Sequence, residues 1–297
     1  MSEVINWIVG RFISGQVLLV GFALCWFGCL LRKFSRQRWT QAATRIVVIV
    51  GALLVVSSAT PLPFWMYGIF FGVLLLTWLR LASRAARHDK FDYFTLVLLL
   101  AQTLVMAGTE TYHRRAPSLP LAEGSKLFVL GDSLSIGADP PGKSWPELLG
   151  DLAHLKVKNF AFGGATVETA YDEALRIDSD NALVILELGG NDLLGGKSIA
   201  RFRMDLEKML TRVCVGRRRV MMIELPLPPF YNRYGMVQRA LARAHGVILV
   251  PKRYLAGVLT FPGATVDGLH LSNTGHELFA RTLFELRNDK RLKTANE

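Results

Sequence analysis

The sequence predicts an α/β domain with a parallel sheet covered by helices on both faces, preceded by an all-α transmembrane region. From about residue 125 onward, short apolar runs alternate with helix-like runs, which is typical of such a sheet. Before residue 117, long stretches carry almost no charge, whereas a helix in water would carry a polar face. We therefore assign residues 1–116 to a transmembrane region and residues 117–297 to a soluble domain.

The first 116 residues contain apolar segments of the length that crosses a bilayer, which is roughly twenty residues. Gln16–Leu31, Ile46–Leu79 and Tyr93–Thr109 are almost free of charge. Pro61 and Pro63 interrupt the long middle segment, so we interpret it as two spans that turn at the prolines. The prediction is four helices, at approximately residues 10–31, 43–60, 63–80 and 91–109. The alternative is three spans, with the proline region kinked or re-entrant.

Positive charge is concentrated in this first region. The chain has a net charge of +11, and before residue 117 Lys and Arg number 12 against four Asp and Glu. Nine of the twelve lie in two connections, Arg32–Arg45 and Arg80–Lys90, which the positive-inside rule places in the cytoplasm. With four spans, the soluble domain then lies outside the cytoplasm. We expect the membrane to be the inner membrane of a bacterium. Membrane topology accounts for the basic excess, so we expect no nucleic-acid partner.

The elements of the soluble domain follow from the same alternation. The strand-like runs are Leu127–Leu130, Val157–Phe162, Leu183–Leu188, Val220–Leu225 and Val247–Val250. The helix-like runs are Trp145–Leu155, Val167–Ile177, Ile199–Val213, Met236–His245 and Thr274–Leu286. Ligands of open α/β sheets bind at the carboxyl ends of the strands, so polar residues that follow these strands are candidates for a functional site.

The soluble domain contains a candidate nucleophile, base and orienting acid. Gly131–Ser135, with the sequence GDSLS, directly follows the first strand-like run, and an Asp-Gly-Leu-His segment lies near the other end of the chain. A serine hydroxyl becomes a good nucleophile when an imidazole removes its proton, and a carboxylate fixes the tautomer of that imidazole. We therefore predict Ser133, His270 and Asp267 as catalytic residues.

Two further segments, Asn159–Thr166 and Leu186–Asp192, each end an apolar run and offer hydrogen-bond donors. Acyl transfer builds negative charge on the former carbonyl oxygen, and donors aimed at that oxygen stabilise it. The predicted donors of this oxyanion hole are the backbone N–H of Ser133, the backbone N–H of Gly164 and the side-chain amide of Asn191. Glycine at position 164 permits close approach of the backbone to a ligand.

Some of these residues also have a purely structural interpretation. Ser133 could cap a helix that follows the strand. We interpret Asp132 and Asp192 as loop braces or helix caps rather than as reacting groups. Glu187 lies on an otherwise apolar strand beside the predicted site, and the sequence leaves two roles open for it: support of the loop, or tuning of His270.

In these four segments the chain resembles the SGNH (GDSL) hydrolase family, whose signature blocks centre on a Ser, a Gly, an Asn and a His. The blocks map in order onto Ser133, Gly164, Asn191 and His270. Ile185–Asp192 and Asp267–Leu271 are most similar to the thioesterase/lysophospholipase (TAP-like) branch. The resemblance covers about residues 125–286. It implies the flavodoxin-like fold of SGNH hydrolases and a serine hydrolase that acts on ester bonds, of the carboxylesterase, lipase or thioesterase type.

The sequence therefore predicts a membrane-anchored serine esterase that hydrolyses ester or thioester bonds of lipid or small acyl substrates through an acyl-enzyme. We expect no cofactor and no metal, because the remaining histidines show no metal-ligand spacing. No substrate-binding residue is assigned. One alternative is an acetyl or acyl transferase, or a deacetylase, acting on cell-envelope polysaccharide. Another is a non-catalytic membrane assembly factor, against which the intact Ser133, Asn191, Asp267 and His270 argue.

Overall fold

The computed structural model describes residues 3–34, 37–82, 90–137 and 142–288. Contacts between Cα atoms divide the chain into two compact units. The first, here called the helical unit, comprises the described parts of Arg11–His113 together with Pro228–Asn232. The second, here called the sheet unit, comprises the described parts of Met1–Gly10, Arg114–Leu227 and Arg233–Glu297.

Long helices dominate the chain before residue 114. They are α1 (Glu3–Ile13), α2 (Val17–Phe34), α3 (Arg38–Ser57), α4 (Phe64–Ala82) and α5 (Lys90–His113). The segment predicted as the first span, approximately residues 10–31, covers the end of α1 and most of α2, and these two helices are bent by 87° relative to each other. By length and composition, three of the described helices are apolar enough to cross a membrane, or four if the bent pair counts as one span.

Small residues bring α2 and α3 close together in the helical unit. A Cβ atom at Gly21 would lie 2.8 Å from the carbonyl oxygen of Gly51, and one at Gly51 would lie 2.8 Å from the backbone nitrogen of Cys25. Such distances leave no room for a side chain, so the close approach of the two backbones depends on glycine. Cys25 and Cys29 are fully buried in the core of this unit.

The sheet unit is built on five parallel strands in the order β2-β1-β3-β4-β5. They are β1 (Lys126–Gly131), β2 (Lys156–Asn159), β3 (Leu183–Glu187), β4 (Arg219–Ile223) and β5 (Ile248–Val250). This 2-1-3-4-5 order is the flavodoxin-like arrangement, which confirms the predicted fold class. All five residues of β3 are buried, as expected for a parallel strand that is covered on both faces.

The helices of the sheet unit are α6 (Trp145–Ala153), α7 (Tyr171–Leu175), α8 (Gly190–Leu194), α9 (Ile199–Val213), α10 (Asn232–Ala244), α11 (Arg253–Leu259) and α12 (Asn273–Glu285). Helices α6 and α12 pack through Trp145 and Phe279, whose ring centroids are 5.0 Å apart. The buried core of the unit combines these side chains with the apolar residues of β1, β3 and β4. This core holds the carboxyl ends of the strands in a fixed register.

Candidate active site

Three of the four predicted segments leave the sheet at one edge. The order of the strands puts β1 between β2 and β3, and Gly131 at the end of β1 pairs with Glu187 at the end of β3. The segments after β1, β2 and β3 therefore begin side by side at the carboxyl edge, where open α/β sheets bind their ligands. The fourth segment, which contains Asp267 and His270, precedes α12.

Ser133 opens a short 3-10 turn, Ser133–Ser135, directly after β1. Asp132 caps this turn, because its Oδ1 accepts a hydrogen bond of 2.9 Å from the backbone N–H of Leu134. The interpretation of Asp132 as a structural cap is thereby confirmed. A Cβ atom at Gly131 would lie 2.6 Å from the Cβ of Ser135, so the chain can fold back over the end of the strand only with glycine at this position.

Asp267 and His270 are joined by a tight turn. Asp267 Oδ2 lies 2.6 Å from His270 Nδ1, while Oδ1 accepts hydrogen bonds from the backbone N–H groups of Leu269 (2.9 Å) and His270 (2.7 Å). Gly268 supplies the left-handed backbone, with φ +89°. The hydrogen bond from the His270 side chain, followed by those from the two backbone N–H groups, lowers the pKa of Asp267. The carboxylate is therefore ionised at neutral pH.

The His270 imidazole and the Asp267 carboxylate are open to solvent. The side chains of His270 and Asp267 are 46% and 52% exposed. Both residues lie on the loop between Thr265 and Leu271, which pair with each other ahead of α12, while Ser133 lies on the turn after β1.

The predicted oxyanion-hole residues follow β2 and β3. Gly164 is exposed and has φ +73°. A Cβ atom added at this position would have no neighbouring atom within 4 Å, so a ligand can approach the backbone of Gly164. Within the described ranges, the backbone N–H groups of Ser133 and Gly164 have no hydrogen-bond partner. Asn191 Nδ2 donates to Asp132 Oδ2 (3.2 Å) and to the carbonyl oxygen of Ala165 (3.0 Å). Because both amide hydrogens are engaged, an oxyanion would have to share one of them.

Asp192 fixes the segment after β2 to α8. Its Oδ2 accepts a hydrogen bond of 2.9 Å from the backbone N–H of Val167, and its Oδ1 lies 2.9 Å from Lys197 Nζ. Lys197 also lies 3.0 Å from Asp205 and 3.2 Å from Glu168. The interpretation of Asp192 as a loop brace is confirmed. Lys197, which no sequence pattern indicated, holds three carboxylates together beneath this loop.

Glu187 supports the Ser133 turn. Its Oε2 accepts hydrogen bonds from Ser135 Oγ (2.9 Å) and from the backbone N–H of Asp132 (3.4 Å). Burial, and then the charge of Asp132, raise the pKa of Glu187 well above its usual value. Of the two roles left open by the sequence, these contacts favour support of the loop. The signal in the sequence for the pairing of Asp132 with Glu187 is that each of these acidic residues lies at the end of an apolar run.

Comparisons with known proteins match the same half of the chain. A family model described as the GDSL-like Lipase/Acylhydrolase family matches residues 129–278. An arylesterase of Vibrio mimicus is 34% identical over 159 residues, which are 49% of this chain and 79% of the arylesterase. Thioesterase 1/protease 1/lysophospholipase L1 of Escherichia coli is 30% identical over 140 residues, which are 44% of this chain and 67% of that enzyme. These matches confirm the resemblance inferred from the four sequence segments.

The comparison of structures covers a similar portion of the chain. A crystal structure of TesA shares 28% sequence identity with it and has a TM-score of 0.49. The match covers 55% of this chain and 98% of the TesA chain.

Proposed function

The chain belongs to the GDSL-like lipase/acylhydrolase family and is an esterase- or thioesterase-type hydrolase; on that premise we propose a membrane-anchored serine esterase. It would hydrolyse carboxylic ester or thioester bonds of lipid or small acyl substrates by way of an acyl-enzyme. The observation that carries the proposal is the Asp267–His270 contact of 2.6 Å, in a chain whose Ser133 opens the turn at the carboxyl end of β1. This pairing is what serine nucleophiles require for activation.

The proposed reaction begins with Ser133 Oγ attacking the acyl carbonyl carbon while His270 Nε2 accepts the hydroxyl proton. Asp267 receives the Nδ1–H of His270, which leaves Nε2 free to act as the base and stabilises the imidazolium that forms. His270 then gives its proton to the leaving alcohol or thiol, and the acyl group remains on Ser133. Water attacks this acyl-enzyme with His270 again as the base, and the acid is released.

Negative charge on the carbonyl oxygen would be stabilised by three donors. The backbone N–H groups of Ser133 and Gly164 are available for it, since neither has a partner within the described ranges. The Asn191 amide would supply the third hydrogen bond by sharing one of the two hydrogens that it directs to Asp132 and Ala165. Preorganised donors of this kind usually contribute the largest part of catalysis in acyl transfer.

Apolar side chains around the site favour substrates with an acyl chain. Each segment that carries a predicted site residue also exposes a large apolar side chain close to it in sequence. These are Ile136, Phe162, Leu194, Val266 and Leu269. Exposed apolar groups on the segments that carry the proposed reacting residues fit a substrate that is apolar over most of its length. They support lipid or other acyl esters as the substrate class.

We further propose that residues 1–116 anchor the enzyme in a bacterial inner membrane as four spans, with residues 117–297 as an extracytoplasmic hydrolase domain. Three to four of the described helices are apolar enough to cross a membrane. The basic connections Arg32–Arg45 and Arg80–Lys90 support a cytoplasmic position for both. An enzyme tethered in this way would work beside the bilayer that contains its lipid substrates.

Covalent labelling of the full-length protein tests the nucleophile. A fluorophosphonate probe should label the wild type, and Ser133→Ala should abolish the labelling. Ser179→Ala is the matched control, because the Ser179 hydroxyl donates to the Asn181 carbonyl oxygen on an exposed loop away from the predicted site. Labelling that persists in Ser133→Ala would refute the assignment, and an unlabelled wild type would favour a non-catalytic function.

A further inference from the structure

Two buried carboxyl groups lie side by side beneath the proposed active site. Asp132 directly follows β1, Glu187 ends the adjacent strand β3, and the backbone N–H of Asp132 donates to Glu187 Oε2 at 3.4 Å. The two residues are only 3% and 2% exposed. Neighbouring carboxylates at a buried position repel each other when both are ionised, which favours a proton on one of the two.

The hydrogen bonds show which of the two carboxyl groups carries the proton. Asp132 Oδ1 accepts from the backbone N–H of Leu134, and Asp132 Oδ2 accepts from Asn191 Nδ2. Both oxygens of Asp132 therefore act as acceptors, which is the arrangement of a carboxylate. On Glu187, Oε2 accepts from Ser135 Oγ and from the Asp132 backbone N–H. Engagement of both Asp132 oxygens as acceptors favours Glu187 as the neutral acid of the pair.

We propose that Glu187 is a positioning residue: as a neutral carboxylic acid it donates a hydrogen bond to Asp132, which holds both the Ser133 turn and the Asn191 amide. The chain of contacts runs from Glu187 through Asp132 to Leu134 on one side and to Asn191 on the other. Glu187 itself touches no reacting atom. The inference rests on the proposed function, because the groups it positions are the proposed nucleophile and oxyanion donor.

The charges around the pair determine how it responds to pH. His270 favours the ionised form of Asp132, whereas Asp192, whose partner is Lys197, opposes it. Burial is the largest influence and raises the pKa of Asp132, and the hydrogen bonds from Leu134 and Glu187 offset only part of that rise. Burial, and then the charge of Asp132, raise the pKa of Glu187, so the neutral form persists to higher pH than in an exposed glutamate, and the proton is lost as the pH rises through that raised pKa. A second negative charge would then repel Asp132 and displace the Asn191 amide.

The adjacent strand offers a matched control. Glu224 directly follows β4 and is also fully buried, but it faces a cation: Arg239 Nε lies 2.6 Å from its Oε1. The backbone N–H of Lys252 donates to its Oε2 at 3.0 Å. Burial alone would raise the pKa of Glu224, but the charges of Arg239 and Lys252 outweigh it and lower the pKa. Glu224 is therefore a buried glutamate that is ionised, whereas Glu187 is proposed to be neutral.

Infrared spectroscopy of the full-length protein at neutral pH tests the proton directly. The difference spectrum between wild type and Glu187→Gln should contain the carbonyl band of a protonated carboxylic acid. The difference spectrum between wild type and Glu224→Gln should lack it. If the Glu187→Gln difference spectrum also lacks this band, Glu187 is ionised and the proposal is wrong. This readout needs no substrate, so it separates the two proposals. If the protein shows the band but has no esterase activity, the proposed function is rejected, whereas the proposal that Glu187 is protonated still holds.

Kinetics test the positioning role. The glutamine amide can donate to Asp132 as the neutral acid does, so Glu187→Gln should keep kcat within about threefold of the wild type. Glutamine does not ionise, so this variant should also lack the decrease in kcat that Glu187 ionisation causes at alkaline pH. Glu187→Ala should lower kcat by about 10²-fold with little change in KM, which is the usual effect of a small displacement of reacting groups. The role is refuted if the glutamine variant is as slow as the alanine variant, or if the alanine variant is as fast as the wild type.

Discussion

Replacing Asp267 by asparagine changes one atom and should reverse the tautomer of His270. Asp267 Oδ1 accepts two backbone N–H groups, from Leu269 and His270, so the amide oxygen of asparagine must occupy that position. The asparagine NH₂ then takes the place of Oδ2, which lies 2.6 Å from His270 Nδ1. An amide hydrogen at this place requires Nδ1 to accept. The imidazole proton is thereby moved to Nε2, the atom that should remove the proton of Ser133.

The expected loss is about 10⁴-fold in kcat, because the same change of tautomer has that effect in serine hydrolases with a Ser-His-Asp triad. The turn itself should survive, since both backbone hydrogen bonds to the side-chain oxygen are kept and Gly268 retains its left-handed backbone. KM should change little, because the substitution removes an interaction that matters mainly in the transition state. Folding and catalysis are thus separated in a single variant.

Hydrolysis of p-nitrophenyl esters and acyl-CoA by the purified full-length protein measures this effect, and circular dichroism checks the fold. Asp178→Asn is the matched control: Asp178 is an exposed aspartate whose pKa is lowered by its hydrogen bond with Lys158, at 2.8 Å, outside the predicted site. The control should keep the wild-type kcat. A kcat for Asp267→Asn within tenfold of the wild type would show that Asp267 does not fix the tautomer of the catalytic base.

Two further predictions concern the oxyanion hole and the membrane topology. Asn191→Ala should lower kcat by about 10²–10³-fold with little change in KM, as measured with the same esters, and an unchanged kcat would leave Asn191 with a structural role only. Alkaline phosphatase should be active when fused after Leu286 and inactive when fused near Arg38, and the opposite pattern would place the hydrolase domain in the cytoplasm.

The sheet could be predicted because its strands are local and apolar. Each of the five strands lies at the position of a predicted run, with ends that differ by at most three residues. The helix predicted at Val167–Ile177 is shorter in the structure, where α7 covers only Tyr171–Leu175. The Thr166 and Thr169 side chains bond to each other and to nearby backbone groups, which favours a turn over a helix at the start of that run.

Contacts that depend on register were beyond the sequence analysis. Asp132 and Glu187 are 55 residues apart, and they meet only because Gly131 pairs with Glu187 in the sheet. The bend between α1 and α2 was also missed, although Gly15, with φ +76°, lies in the break and is a residue type that commonly ends helices. In both cases the residue types were informative, but their geometry depends on tertiary structure.

The contrast between the two buried glutamates explains how the carboxyl edge of the sheet can support catalysis. The positive charge of Arg239 balances the negative charge of Glu224, so Glu224 adds no net charge at this edge of the sheet. A similar cation beside Asp132 would weaken the interaction between Asp132 and His270. A proton on Glu187 relieves the repulsion in the pair and leaves the Asp132 carboxylate charged. An ionised Asp132, directly before Ser133 in the chain, would add negative charge near the reacting groups, which favours a positive charge that forms there when Ser133 attacks. A neutral acid in this place therefore preserves the electrostatic field that the proposed reaction needs.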